Sequence, residues 1–193
     1  MATERLLDAV QKLTQLAQQT GPDETLVLQQ AGGVIRDLVA HDDWLPPEMA
    51  QSDPIHYRQY LLYGDPLDRF SLVSFVWGPG QHTPIHNHTV WGVIGMLRGE
   101  ELSQPFGTDA QGRFVAQGEE SVLHPGEITC VSPTLGDVHR VSNAHQDQVS
   151  ISIHLYGGNI GRIRRSVYDP ATGAQKSFVS GYSNAQVPNL WQA

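Results

Sequence analysis

Two stretches near the start of the chain repeat apolar residues every three to four positions. Leu6, Val10, Leu13 and Ala17 share one helix face, and Ala31, Val34, Ile35 and Leu38 share another. Gly21-Pro22 lies between them as a turn signal. After Trp44-Leu45-Pro46-Pro47, the run around Tyr57 to Tyr63 reads as a third, short helix stopped by Gly64-Asp65-Pro66. From Phe70 the period changes. Phe70 to Trp77, Val90 to Leu97, Ile128 to Val131 and Gln148 to Tyr156 are short apolar or alternating runs, punctuated by Gly78-Pro79-Gly80 and Arg98-Gly99. Many short strands at near-regular spacing predict a sandwich or barrel. No fixed-period repeat, low-complexity tract or Gly/Ser/Pro-rich linker breaks the pattern. The expectation is therefore a mainly β protein of one domain over 1–193: a helical cap over 1–66, then a small antiparallel barrel or jelly roll over 67–193 with a C-terminal extension.

Composition narrows the function classes. A 39% hydrophobic and 17% charged chain is ordinary globular protein rather than a disordered one. No run approaches the roughly 18 apolar residues of a membrane span, and the first twenty residues lack the order of a secretory signal. The expectation is a cytoplasmic protein with no membrane partner. A formal charge of −8, with only 12 Lys and Arg, argues against nucleic acid, which needs a clustered basic surface. The one basic run, Arg162 to Arg165, is too short to be that surface. No protein partner is implied. The single cysteine, Cys130, excludes an internal disulfide or a thiolate metal cluster, and reads as a buried structural thiol.

Nine histidines are many for 193 residues, and three of them form a pattern. His86-Asn87-His88 puts two imidazoles on one side of an extended segment, roughly 7 Å apart along it, and neutral imidazole suits Fe, Zn, Cu and Ni. Gly80 stands before this pair and Gly99 closes the following strand. Downstream, Gly136-Asp137-Val138-His139 is followed by Asn143. These two blocks resemble the paired motifs of the cupin superfamily, in which such residues put metal ligands on neighbouring strands of a small barrel. Most cupins also carry a glutamate four or five residues after the second His. Here those positions are Gly92 and Val93, which leaves three neutral ligands, His86, His88 and His139, around a dication. Such a site keeps its positive charge and favours an anionic ligand brought by the substrate.

Ser150, Ser152, His154 and Tyr156 alternate with Val149, Ile151, Ile153 and Leu155 on one strand. On spacing alone this is a strand with one face in water. Ser-x-His-x-Tyr combined with Trp77-Gly78-Pro79-Gly80 and His86-Asn87-His88, however, is similar to the thiol dioxygenases, the family of cysteine dioxygenase and 3-mercaptopropionate dioxygenase, over roughly Tyr57 to Tyr168. The resemblance implies Fe(II) on the three histidines, with a relay beside it: Tyr156 facing substrate and O2, His154 orienting Tyr156, and Ser152 holding His154. It implies that both atoms of O2 are added to the sulfur of a small thiol, giving the sulfinate without any further reductant. Mammalian members have a cysteine after the His-x-His that cross-links to the tyrosine. This chain reads Val90-Trp91-Gly92-Val93 there, so Tyr156 is expected unmodified.

Those members also bind the substrate carboxylate with an arginine in a helix before the barrel. The matching segment here, His56-Tyr57-Arg58-Gln59-Tyr60, resembles that of the bacterial subgroup with glutamine at that place. Gln59 is then the polar contact and Arg165, just after the last barrel strand, the carboxylate clamp, with Arg58 as its rival. This points to 3-mercaptopropionate as the preferred substrate and L-cysteine as a secondary one. Two other readings remain: a Zn- or Mn-dependent Lewis-acid isomerase on the same histidines, and a non-enzymatic cupin binding module.

Overall fold

A computed structural model describes residues 2–19 and 23–192. The chain opens with two helices, α1 (Ala2–Gln19) and α2 (Glu24–Val39). The Gly21-Pro22 turn signal lies outside the described residues. Asp23 caps α2 by accepting a hydrogen bond from the Leu26 amide, 3.2 Å, and the Trp44 indole N–H donates to the Leu38 carbonyl at the other end, 2.9 Å. Of the residues whose spacing predicts the two buried faces, Leu6, Val10 and Leu13 of α1 and Ala31, Ile35 and Leu38 of α2 are buried, while Ala17 and Val34 are partly buried against the same core.

Twelve strands follow: β1 (Arg58–Gly64), β2 (Ser71–Trp77), β3 (Ile85–His86), β4 (Gly92–Arg98), β5 (Glu101–Thr108), β6 (Phe114–Ala116), β7 (Ser121–Leu123), β8 (Ile128–Val131), β9 (His139–Asn143), β10 (Ser150–Tyr156), β11 (Arg165–Tyr168) and β12 (Gln175–Phe178). They form two curled antiparallel sheets, β1-β2-β10-β4-β8 and β12-β11-β3-β9-β5-β6, with β7 also on β5. The expected architecture, a small cupin barrel behind a helical cap, is the one found.

Each sheet face has its own core because side chains alternate along a strand. Leu72 and Val76 of β2 and Ile151, Ile153 and Leu155 of β10 pack outward against the two helices. Val73, Phe75 and Trp77 of β2, with Val141, Tyr156 and Ile160, form a second cluster inside the barrel. α2 lies so close to β4 that a Cβ on Gly95 would come within 2.6 Å of Ile35. Cys130 on β8 is half-buried rather than enclosed, and packs at the edge of the helix-facing core. No helix among the described residues is long and apolar enough to cross a membrane.

The third helix expected around Tyr57 to Tyr63 does not form. That stretch is β1, paired antiparallel with β2 and carrying an irregularity between Leu61 and Tyr63. A short run of aromatic and apolar residues is locally ambiguous, and the unpaired edge of β2 decides it. Tyr57 and Leu61 pack into the barrel, and Tyr60 and Leu62 into the helix-facing core. Part of the chain expected to be cap is therefore barrel wall.

Candidate active site

β3 and β9 pair with His86 directly opposite His139, so the sheet register itself sets two imidazoles against each other. His88 joins them because the chain leaves the strand after His86. Asp137 holds that turn: its Oδ1 accepts from the His88 amide (2.9 Å) and its Oδ2 from the Thr89 amide (2.9 Å), with Thr89 at φ +63°. The two rings, expected on one side of the chain roughly 7 Å apart along it, have centroids 4.9 Å apart. The three potential ligand atoms lie within 4.8 Å of one another.

Every Nδ1 of this triad is already engaged. His86 Nδ1 donates to the Pro84 carbonyl at 3.1 Å, His88 Nδ1 to Asp137 Oδ1 at 2.9 Å, and His139 Nδ1 pairs with Ser103 Oγ at 3.1 Å. Protonation at Nδ1 leaves the Nε2 lone pairs free, the arrangement by which outer hydrogen bonds orient metal-binding imidazoles. His139 Nε2 is buried with no partner at all. Burial also holds His86 and His139 well below the usual imidazole range, so they stay neutral. A divalent metal fits this donor set, and nothing else among the described residues satisfies it.

The relay lies alongside. β10 is buried along its whole length, so its polar face meets the barrel interior rather than water. Ser152 Oγ and His154 Nε2 are 2.8 Å apart, and His154 Nδ1 and the Tyr156 hydroxyl 2.8 Å. The Trp77 indole N–H donates to Ser152 Oγ at 3.3 Å. Burial keeps His154 neutral and raises Tyr156 well above the ordinary phenol. The Tyr156 ring stacks on His88 with centroids 5.5 Å apart. One edge of the ring, Cδ1 and Cε1, lies against the backbone of Gly92, its cross-strand partner, where a Cβ would sit 2.9 Å from the ring. The tyrosine ring thus fills the space that a ligand side chain from position 92 would need.

A cavity of about 140 Å³ opens onto His86, His88, His139, His154 and Tyr156. Tyr57, Phe75, Trp77 and Phe178 form its aromatic wall, and Gln59 and Arg165 reach it as well. Arg165 opens β11 instead of following the last strand. Its guanidinium is buried, stacks 4.7 Å over Phe178, donates to Ser180 Oγ at 2.7 Å, and leaves Nε without a partner. Gln59 sits on a strand, not a helix, and its amide donates to the Gly181 carbonyl. Arg58, the rival for the clamp, is not brought to the cavity: alternation along β1 turns it away, and it pairs with Asp53.

The sequence profile of the family described as "Cysteine dioxygenase type I" matches residues 4–169. The chain belongs to the cysteine dioxygenase type I family. It is 25% identical over 179 residues to the cysteine dioxygenase type 1 of Danio rerio, covering 90% of this chain and 83% of that one. It is 26% identical over 121 residues to the Homo sapiens protein, covering 56% and 60%. A cupin superfamily protein from Desulfitobacterium hafniense superimposes with a TM-score of 0.46 at 12% identity, over 62% of this chain and 94% of that one. Membership in the cysteine dioxygenase family makes the protein an enzyme of the non-haem iron dioxygenase class and sets aside the binding-module reading.

Several contributors to this site escaped sequence reasoning. Asp137 and Ser103 hold the ligand rings, and Tyr57, Phe75 and Phe178 wall the cavity. Glu101 is buried and lines a second cavity that also touches His154. Asp137 carried a signal, since it stands two residues before His139 in a Gly-led block. Glu101 carried none: next to Glu100 after a turn, it reads as a solvated charge.

Proposed function

We propose that the enzyme converts a small thiol carboxylate to its sulfinate with O2, preferring 3-mercaptopropionate and accepting L-cysteine, and that His86, His88 and His139 hold Fe(II). The observation that carries the substrate class is Arg165: a buried guanidinium with an unsatisfied Nε–H, facing the same cavity as the histidine triad. Among the described residues it has no carboxylate partner, and a buried cation with open donors calls for an anion. The cavity is smaller than the roughly 300–1,000 Å³ of sites for drug-sized ligands, which restricts the substrate to a few heavy atoms.

Its lining includes no carboxylate, so a substrate ammonium finds no charged partner there. This favours a thiol with a carboxylate and no amine. Divalent iron bound at the triad supplies the one-electron chemistry that lets a closed-shell thiol react with O2. The protein does the rest. Arg165 anchors the carboxylate end and thereby places the sulfur beside the triad. Gln59 offers a fixed, neutral amide. Tyr156, held by His154 and Ser152, presents its hydroxyl to the reacting atoms, where a hydrogen bond stabilises charge developing on oxygen. The balance is R–SH + O2 → R–SO2⁻ + H⁺.

The test is O2 uptake by iron-loaded protein with 3-mercaptopropionate and L-cysteine in parallel, with the sulfinates quantified by mass. One sulfinate per O2, and a larger kcat/KM for 3-mercaptopropionate, is the expected result. Absence of uptake with both thiols on iron-replete protein overturns the reading.

A further inference from the structure

β1 is the last strand of its sheet and pairs only with β2, which leaves its outer edge open. After β12 the chain returns to that edge and closes it, largely with side chains. The Ser183 backbone N–H donates to the Gln59 carbonyl at 2.8 Å, and Ser183 Oγ accepts from the Gln59 backbone N–H at 3.0 Å. Asn184 treats Leu61 the same way: its Nδ2 donates to the Leu61 carbonyl at 2.9 Å and its Oδ1 accepts from the Leu61 N–H at 2.8 Å. Just ahead of them, the Tyr182 hydroxyl donates to Asn159 Oδ1 at 2.7 Å and accepts from the Gly161 N–H at 3.0 Å, while the Gly181 N–H donates to the Gly161 carbonyl at 2.9 Å. A Cβ on Gly161 would lie 2.4 Å from the Tyr182 ring, so that seat requires a glycine. Residues 178–184 are thus a strap tied down along its length.

Two residues of the substrate cavity take their direction from this strap. Arg165 Nη2 donates to Ser180 Oγ at 2.7 Å, and the guanidinium lies 4.7 Å over the ring of Phe178, its cross-strand partner. Among the described residues the guanidinium has no other hydrogen bond, and its Nε is unpartnered. The Gln59 side-chain amide donates to the carbonyl of the next strap residue, Gly181. Neither Ser180 nor Gly181 lines the cavity, so each acts through the side chain it holds. The family profile matches residues 4–169, and the strap lies beyond that match.

We propose that the strap sets the length of substrate the enzyme accepts, with Ser180 as the positioning residue that aims Arg165 and the Gly181 carbonyl as the group that fixes Gln59. The proposal rests on the thiol carboxylate reading given above. A guanidinium is a planar fork on a long stem, and it recognises a carboxylate well only when its plane is fixed. Ser180 and the Phe178 ring fix it here. A clamp held at one distance from the histidine triad accepts one spacing between carboxylate and sulfur, because a substrate of another length cannot reach both ends at once. A clamp free to swing accepts several lengths and binds each of them less tightly. The Ser180 side chain is exposed and takes no part in either core cluster, so its hydroxyl contributes direction to Arg165 rather than packing to the fold.

The experiment is steady-state kinetics of the iron-loaded enzyme with mercaptoacetate, 3-mercaptopropionate and 4-mercaptobutyrate, which differ only in the number of carbons between sulfur and carboxylate. Ser180→Ala should raise KM for 3-mercaptopropionate about tenfold, the effect of one hydrogen bond to a charged group, and the change should fall on KM rather than on kcat. The preference among the three lengths should flatten in the same variant, and Ser180→Thr, which keeps the hydroxyl, should restore it. Introduced into Arg165→Gln, Ser180→Ala should have no further effect, because the group it aims is gone. An unchanged KM in Ser180→Ala overturns the proposal. So does a raised KM with the length preference intact, or a further rise in the Arg165→Gln background. Arg165→Gln alone separates this proposal from the reading beneath it. If that variant raises KM and Ser180→Ala does not, the clamp stands and the strap falls; if neither moves KM, both fall.

Discussion

His86, His88 and His139 are equivalent in the sequence, but each presents Nε2 for a different reason. A backbone carbonyl holds the first, a carboxylate the second and a hydroxyl the third. Removing a ligand and removing its support therefore have different consequences. His139→Ala takes away one of three donors, and metal analysis of the purified variant should find little retained iron. Asp137→Ala keeps all three donors but frees the His88 ring and the Thr89 turn, so iron affinity should fall about 10- to 100-fold, read by competition with a chelator. Arg165→Gln should retain iron and raise KM for 3-mercaptopropionate, while a thiol lacking a carboxylate shows little change. An unchanged KM would exclude Arg165 as the clamp.

At the scale of the element, the site depends on how closely backbones approach. Tyr156 on β10 and Gly92 on β4 are cross-strand partners, and the ring lies against the bare glycine. Gly92→Ala places a methyl group where the ring now is. Overpacking of this kind costs about 1–3 kcal/mol, which should appear as a lowered Tm. Because the Tyr156 hydroxyl is displaced from His154, turnover should fall further than the stability loss explains. Much of this element-level pattern is legible in the sequence. The alternation of β10 predicts which side chains share a face, since strand geometry is local. β1 was misread because Tyr57 to Tyr63 fits a helix or a strand equally well until β2 offers it a partner. Several remaining strands are two to four residues long, too short to show any period.

For the whole molecule, burying titratable groups inside the barrel links stability to pH in two opposed ways. Burial holds the His154 imidazole below its ordinary 6.5. The unfolded chain therefore binds more protons below that value, and stability is lost as the pH falls. Glu101 works in the other direction. Its carboxyl is raised from 4.5 to about 7, so the folded state holds the extra proton across that window and stability falls as the pH rises through it. Glu101→Gln removes this second penalty. Denaturant unfolding of both proteins across a pH series should find them similar near the bottom of the window. The variant should become more stable by roughly a few kcal/mol at its top, with no further change above it. A difference independent of pH would mean that Glu101 does not titrate in the folded protein.

By itself the sequence determined the β-rich barrel behind two helices, the three imidazoles and the polar face of β10. These depend on residue type and on periods of two and 3.6, which are properties of a short stretch of chain. Only the tertiary structure decided which imidazole nitrogen is free, which of two candidate arginines meets the cavity, and that Glu101 is buried. Each of those turns on how side chains meet in space: Ser103 with His139, Arg58 with Asp53 while Arg165 has no carboxylate partner among the described residues, and a turn that carries one of two adjacent glutamates into the barrel. Local spacing says nothing about such contacts, because burial and hydrogen-bond partners are set by how the sheets close on one another.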